Sequence, residues 1–107
     1  MILRISEAAA LAIVEQADYY LEVSDSELAA RWESAVDETV RSLLHLPERG
    51  APCRFTNTAL AGLRWIPVSG FPKHLVIYQF DETKSTLLVV QVIHGAREVE
   101  LLLREQS

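Results

Sequence analysis

Hydrophobic and polar positions follow two different periods along the chain, and the change falls near residue 62. Ile2-Leu3-Arg4-Ile5 is short and β-prone and suits an edge strand. Ser6 then offers an N-cap, with Glu7 in the first turn, where the helix dipole favours an acid. From Glu7 to about Val23 the pattern is helical. Glu7, Glu15, Asp18 and Glu22 cluster within about 80° on a wheel of 100° per residue, and Ala10, Ile13, Val14, Ala17, Tyr20 and Leu21 fill the other side. Ser24-Asp25-Ser26-Glu27 fits a capping box that starts a second helix. Leu28, Trp32, Ala35, Val36, Thr39, Leu43 and Leu46 lie on its apolar stripe. Glu27 with Arg31 and Asp37 with Arg41 are i,i+4 pairs in the favourable order on its polar side. Pro47 stops this helix, and the two- or three-residue link predicts an antiparallel hairpin.

Residues 47–62 hold Pro47, Gly50, Pro52, Asn57 and Gly62 and read as loop. The period then becomes two. Leu63–Val68 is a strand with Pro67 near its end, which requires an edge or a bulge. Ser69-Gly70-Phe71-Pro72 turns the chain, His74–Phe80 is a second strand, Asp81–Lys84 a tight turn and Ser85–His94 a third strand. Leu87–Val90 is apolar on both faces, so that strand is expected to be central and covered on one side by the helices. Gly95 breaks it, and Glu98–Arg104 suits a helical turn or a frayed tail. The order β-α-α-β-β-β predicts one α+β domain over 1–107, with a helical hairpin on one face of a mainly antiparallel sheet.

Composition narrows the class. The chain has 107 residues, half of them apolar, and eight aromatics, enough for a core and too few residues for a second domain. Its longest apolar runs, Ala8–Val14 and Leu87–Val90, fall far short of the roughly 18–20 residues that span a bilayer. No charged-then-apolar leader with a small-residue cleavage site is present, so no secretory signal is expected. A lone Cys53 makes no internal disulfide and has no partner at metal-ligand spacing, which points to the cytoplasm and to no metal or cofactor.

The net charge of −5 argues against non-specific coating of nucleic acid, but it is unevenly placed. Residues 6–46 carry nine acids against two bases, and residues 49–97 carry six bases against two acids. That asymmetry has two readings: a binding face on the second half, or helices that carry more surface acid than strands do.

Catalytic motifs are scarce: there is no phosphate-binding glycine loop, no HExxH and no CxxC. Cys53 beside Arg54 has the setting of a low-pKa thiol or of an incidental loop cysteine. His45 sits in the last turn of the second helix, where a cation suits the dipole. His94-Gly95-Ala96-Arg97 follows a strand at its exit. A histidine as acid–base and an arginine to stabilise developing phosphorane charge are the minimum for cleaving RNA through its 2′-hydroxyl. The plain alternative is a turn with Arg97 bridging to an acid or a partner. Arg64 alternates with Leu63 and Trp65. If those two pack on the helices, Arg64 lies on the open face of the sheet; in the reverse parity it must find a buried acid. Trp32 and Trp65 read as core or partner-contact aromatics.

In order along the chain, these segments resemble the ParE/RelE toxin superfamily. Ala17-Asp18-Tyr19-Tyr20-Leu21 and Ala30-Arg31-Trp32 are similar to its hairpin, and Leu46-Pro47-Glu48-Arg49-Gly50 to its post-helix turn. Leu60-Ala61-Gly62-Leu63-Arg64, Phe71-Pro72, Val76-Ile77-Tyr78 and Val92-Ile93-His94-Gly95-Ala96-Arg97-Glu98 are similar to its strand signatures, with the series closest to the ParE branch. The resemblance implies the toxin of a type II toxin–antitoxin operon, a plasmid stabilisation protein held inactive in a hetero-oligomer by a ParD-like antitoxin. It implies contact with operator DNA only through that antitoxin. Free ParE-type toxins poison DNA gyrase; free RelE-type toxins cut mRNA in the ribosomal A site.

The nuclease alternative would use His94, Arg97 and Arg64. Arg97 matches one of the two arginines of that type, but the other position falls at Leu75, no tyrosine follows Tyr78, and −5 opposes binding to ribosomal RNA. The ParE-type reading, without catalysis by this chain, is therefore preferred. A non-toxic interaction protein on the same scaffold is the third reading. Partner contacts are expected on the sheet side and the tail, at Arg64, Trp65, Lys73, Arg97, Leu101 and Leu102, because an exposed apolar strand face and the tail Leu101–Leu103 need a cover.

Overall fold

The computed structural model describes residues 1–53 and 62–95. Strand β1 (Ile2–Ile5) leads into helix α1 (Glu7–Val23) and helix α2 (Ser26–His45). Strands β2 (Ala51–Pro52), β3 (Arg64–Val68), β4 (Phe71–Asp81) and β5 (Thr86–His94) follow. They form one sheet in the order β1-β5-β4-β3-β2. β1 runs parallel to β5 and every other pairing is antiparallel. The sheet is thus mainly antiparallel, and the helical hairpin covers one face. β5 is interior, as its double-sided apolar pattern requires, and the two-residue β2 lies in the stretch read as loop.

Local chemistry explains each junction. Ser6 caps α1: its Oγ accepts from the Ala9 N–H at 3.0 Å and donates to the Val90 carbonyl at 2.6 Å. The cap therefore also ties the start of the helix to β5. At α2 the cap is Asp25, one residue later than the capping box predicts; its Oδ1 accepts from the Leu28 N–H at 2.8 Å. A carboxylate at the N-cap adds charge to the same backbone contact a serine would make. Of the two expected i,i+4 ion pairs, Arg41–Asp37 forms at 2.8 Å, and Glu27–Arg31 is not within ion-pair distance. Pro67 sits where the β3–β4 register shifts, the bulge its missing N–H calls for.

α2 buries Ala29, Trp32, Ala35, Val36, Thr39, Val40 and Leu43, with Leu28 half-buried and Leu46 exposed beyond the last turn. α1 behaves differently. It buries Ala9 and Ala17 and half-buries Ala12, Ile13 and Tyr20, while Ala10, Val14 and Leu21 face solvent. Of the apolar side expected from the wheel, Ile13, Ala17 and Tyr20 pack on the core, while Ala10, Val14 and Leu21 are turned out of it. Three contacts set that rotation: the Ser6 bond to β5, the Trp32 Nε1–H donated to the Ile13 carbonyl at 3.0 Å, and the Tyr20 hydroxyl bonded to His74 Nε2 at 3.1 Å. Apolar residues over about two-thirds of the wheel leave the helix's rotation to whichever polar contacts can be made.

The sheet is buried on both faces. Val76, Tyr78, Leu87, Val89 and Val92 join the helices in the main cluster, and Leu63, Leu75, Ile77 and Ile93 form a second one with Cys53, Trp65 and Val90 against it. The open apolar strand face expected as a partner surface is therefore not open. Ile77 is fully buried, and Leu75 and Ile93 are nearly so.

Trp32 is the largest fully buried side chain, packed edge-on against Phe71 and tilted against His74, with ring centres 5.3 and 4.6 Å away. Trp32→Ala is expected to lower the unfolding free energy by about 3–5 kcal/mol in urea denaturation. A loss under about 1 kcal/mol would show that this indole does not hold the hairpin to the sheet.

Candidate functional site

β4 carries two groups of polar side chains, four residues apart on the helix-facing side. At one end His74 lies directly opposite His94 on β5. Their rings are 4.7 Å apart and nearly perpendicular. His74 is buried under α1, where it meets the Tyr20 hydroxyl and the Trp32 ring. His94 is exposed at the mouth of a cleft of about 340 Å³, lined also by Glu15, Gln16 and Tyr19. Burial, and then the neighbouring His94, hold the His74 ring below its ordinary pKa of 6.5, so at neutral pH it is uncharged.

At the other end stands Tyr78, fully buried opposite Arg64 of β3. Its hydroxyl donates to the Pro47 carbonyl at 2.7 Å and accepts from the Gly50 N–H at 2.8 Å. Burial raises this phenol above its usual range, against the lowering pull of the Gly50 bond and Arg64, so it keeps its proton. Arg64 Nη1 donates to the carbonyls of Glu48 and Gly50, at 3.2 and 2.7 Å. The guanidinium and the phenol together clamp the turn that leaves α2. Gly50 is required there by close approach: a Cβ would stand 2.5 Å from the Tyr78 hydroxyl and 2.8 Å from the Trp65 carbonyl.

This geometry revises the expectations for Arg64 and Trp65. Trp65 pairs with Ile77 and joins the cluster on the face away from the helices, with Leu63. Arg64 therefore points to the helix side, and its partners are backbone carbonyls rather than a buried acid. Lys73 is exposed, and its carbonyl accepts from the Gly95 N–H at 2.8 Å. Arg97, Leu101 and Leu102 lie outside the described residues.

Arg64 and His94 do not come together. Four residues of β4 separate their partners, roughly 13 Å along the strand, and β3 and β5 flank β4 on opposite sides. His74, which the sequence reading passed over, is the residue brought to His94. Cys53 also differs from the reactive-thiol reading: burial pushes it up to about 11, so it is a neutral thiol at physiological pH. His45 is exposed in the last turn of α2, where the dipole reading put it. Among the described residues no group of three or more His, Cys, Asp or Glu side chains converges on a metal position. No helix of the described residues is long and apolar enough to cross a membrane.

Comparison with known proteins decides the family. The sequence profile described as the ParE toxin of the type II toxin–antitoxin system, parDE, matches residues 3–99. The chain belongs to the ParE toxin family. It is thus the toxin of a type II toxin–antitoxin system, within the ParE/RelE superfamily. A structure of the chromosomal ParDE system from P. aeruginosa superposes with a TM-score of 0.71 at 16% identity, covering 89% of this chain and 96% of that one. The RelBE2 toxin–antitoxin complex from Mycobacterium tuberculosis gives 0.60 at 20% identity, covering 89% and 91%. A YoeB/ParE toxin from Agrobacterium tumefaciens gives 0.59 at 15% identity, covering 89% and 99%. These likenesses bear on the fold. No curated protein sequence matches the chain.

Two outcomes follow for this ParE-family toxin. Gly50→Ala is expected to cost about 1–3 kcal/mol of stability in urea denaturation, because neither the Tyr78 ring nor the Trp65 backbone can yield cheaply; an unchanged midpoint would show that the turn relaxes. His74 binds its proton more readily unfolded than folded. Its contribution to stability is therefore complete above pH 6.5 and is lost as the pH falls below that value. Thermal melts of the wild type and of His74→Gln from pH 7.5 to 5 are expected to show a shallower pH dependence for the variant, and parallel curves would refute the assignment.

Proposed function

We propose that this toxin is a poison of DNA gyrase, kept inactive in the cytoplasm by a cognate ParD-like antitoxin. The observation that carries the proposal is the match of the ParE profile over residues 3–99. The charge map supports it. All nine acids of the hairpin are exposed, so this surface repels a polyanion such as ribosomal RNA. Arg64, one of the bases an RNA-cleaving site would need, is committed to the carbonyls of Glu48 and Gly50 and faces away from His94's end of the sheet. The antitoxin partner is supported by the solved relatives, the P. aeruginosa ParDE system and the M. tuberculosis RelBE2 complex.

One observation favours the second reading, a ribosome-dependent mRNA endonuclease. The paired His74 and His94 supply an exposed imidazole of the kind acid–base cleavage uses.

Purified toxin added to gyrase is expected to block supercoiling and to trap double-strand breaks in plasmid DNA, and addition of the antitoxin should reverse both. Full supercoiling at a large molar excess of toxin, with no trapped breaks, would overturn the gyrase reading. Primer extension on mRNA after induction separates the alternative: new 5′ ends that disappear in His94→Ala would establish cleavage.

A further inference from the structure

Among the described residues the exposed apolar surface is concentrated in the first part of the chain. Of the ten large hydrophobic side chains that are exposed among the described residues, nine lie in residues 1–23 and only Leu46 lies elsewhere. Five of them lie on α1, and two of these, Val14 and Leu21, share one stripe with the exposed Ala10. Ala10, Val14 and Leu21 fall within about 40° on a helical wheel and are all exposed, and Val14 and Leu21 are each more than half accessible. Beside this stripe runs the acidic row of Glu7, Glu15, Asp18 and Glu22, all exposed and none in an ion pair with any described residue. An apolar stripe edged by unpaired charge of one sign is a surface built for a partner rather than for water.

The charge selects the occupant. A second copy of this chain docked about a two-fold axis would set acidic row against acidic row, a like-charge contact that costs free energy. A nucleic acid is repelled for the same reason. A segment with apolar residues on one side and lysine or arginine beside them satisfies both halves of the face. We infer that the outer face of α1 docks a basic amphipathic segment of the antitoxin, with Val14 and Leu21 as its apolar contacts and Asp18 and Glu22 as its ionic ones. The inference rests on the antitoxin reading above. It moves the expected partner surface from the sheet side, where the apolar strand face is already buried, to the hairpin.

The test uses the full-length toxin and the full-length antitoxin encoded beside it, with binding measured by calorimetry at two salt concentrations and the fold of each variant checked by circular dichroism. Val14→Ser with Leu21→Ser is expected to raise the Kd by at least about tenfold. Asp18→Lys with Glu22→Lys is expected to weaken binding and to flatten its salt dependence. These residues are exposed, so the variants should fold. Amide exchange in the wild-type complex should slow over residues 7–23. Unchanged Kd values in both double variants, or protection confined to the strands, overturns this docking face while leaving the antitoxin reading intact. Wild-type toxin that does not bind the antitoxin at all overturns both. Variants that bind the antitoxin normally but no longer inhibit gyrase would assign the face to the target and also overturn it.

Discussion

The indole of Trp32 holds hairpin and sheet in one arrangement, and most of the structure is arranged around it. It comes from α2, gives its N–H to the Ile13 carbonyl of α1, and packs against Phe71 and His74 of β4. One side chain therefore touches both helices and the sheet. Its N–H can be buried only because α1 presents a carbonyl to it, since an indole donor left unpaired in an apolar interior costs free energy. Tyr20 completes the nest, edge-on to Trp32 and hydrogen-bonded to His74, so the same aromatic group that packs the core also fixes how far α1 is turned about its axis.

That turn has consequences on both sides of the helix. Inward, it carries Tyr20 to His74 and leaves His94 at the mouth of the adjoining cleft. Outward, it exposes Ala10, Val14 and Leu21 next to four acids. The far end of β4 is held by a separate device. Tyr78 and Arg64 bind the backbone of residues 47–50, and Gly50 lets the phenol approach so closely. Together they orient the chain leaving α2 so that β3 can pair with β4. Arg64 is thus a structural clamp on the helix side, although its place beside Leu63 and Trp65 also suited an open ligand face.

The net charge of −5 gains its meaning from position. Nine of the fifteen acids lie exposed on the hairpin, with one described ion pair, Asp37–Arg41, to offset them. Among the bases, Arg64 is engaged with carbonyls while Arg49, Lys73 and Lys84 are exposed. The molecule therefore offers a partner an acidic, partly apolar hairpin and, on the strand side, scattered basic groups.

Local signals decided much of this protein. The caps at Ser6 and near Ser24, the stop at Pro47, the helical period of α2, the alternation in the strands and the bulge at Pro67 all rest on contacts between near neighbours, which a sequence displays directly. The run of family-like segments from Ala17 to Glu98 added the toxin class. Tertiary structure decided which faces those elements present. β5 is apolar on both sides through Leu87–Val90, so its alternation cannot reveal where an extra residue is inserted. The register shift between Ile77 and Tyr78 skips Val90 and turns the rest of the strand over. Without it His74 would sit opposite Ile93 and His94 would face the other way. The rotation of α1 was hidden for the same reason: with apolar residues over about two-thirds of the wheel, only the distant partners Val90, Trp32 and His74 select the buried side.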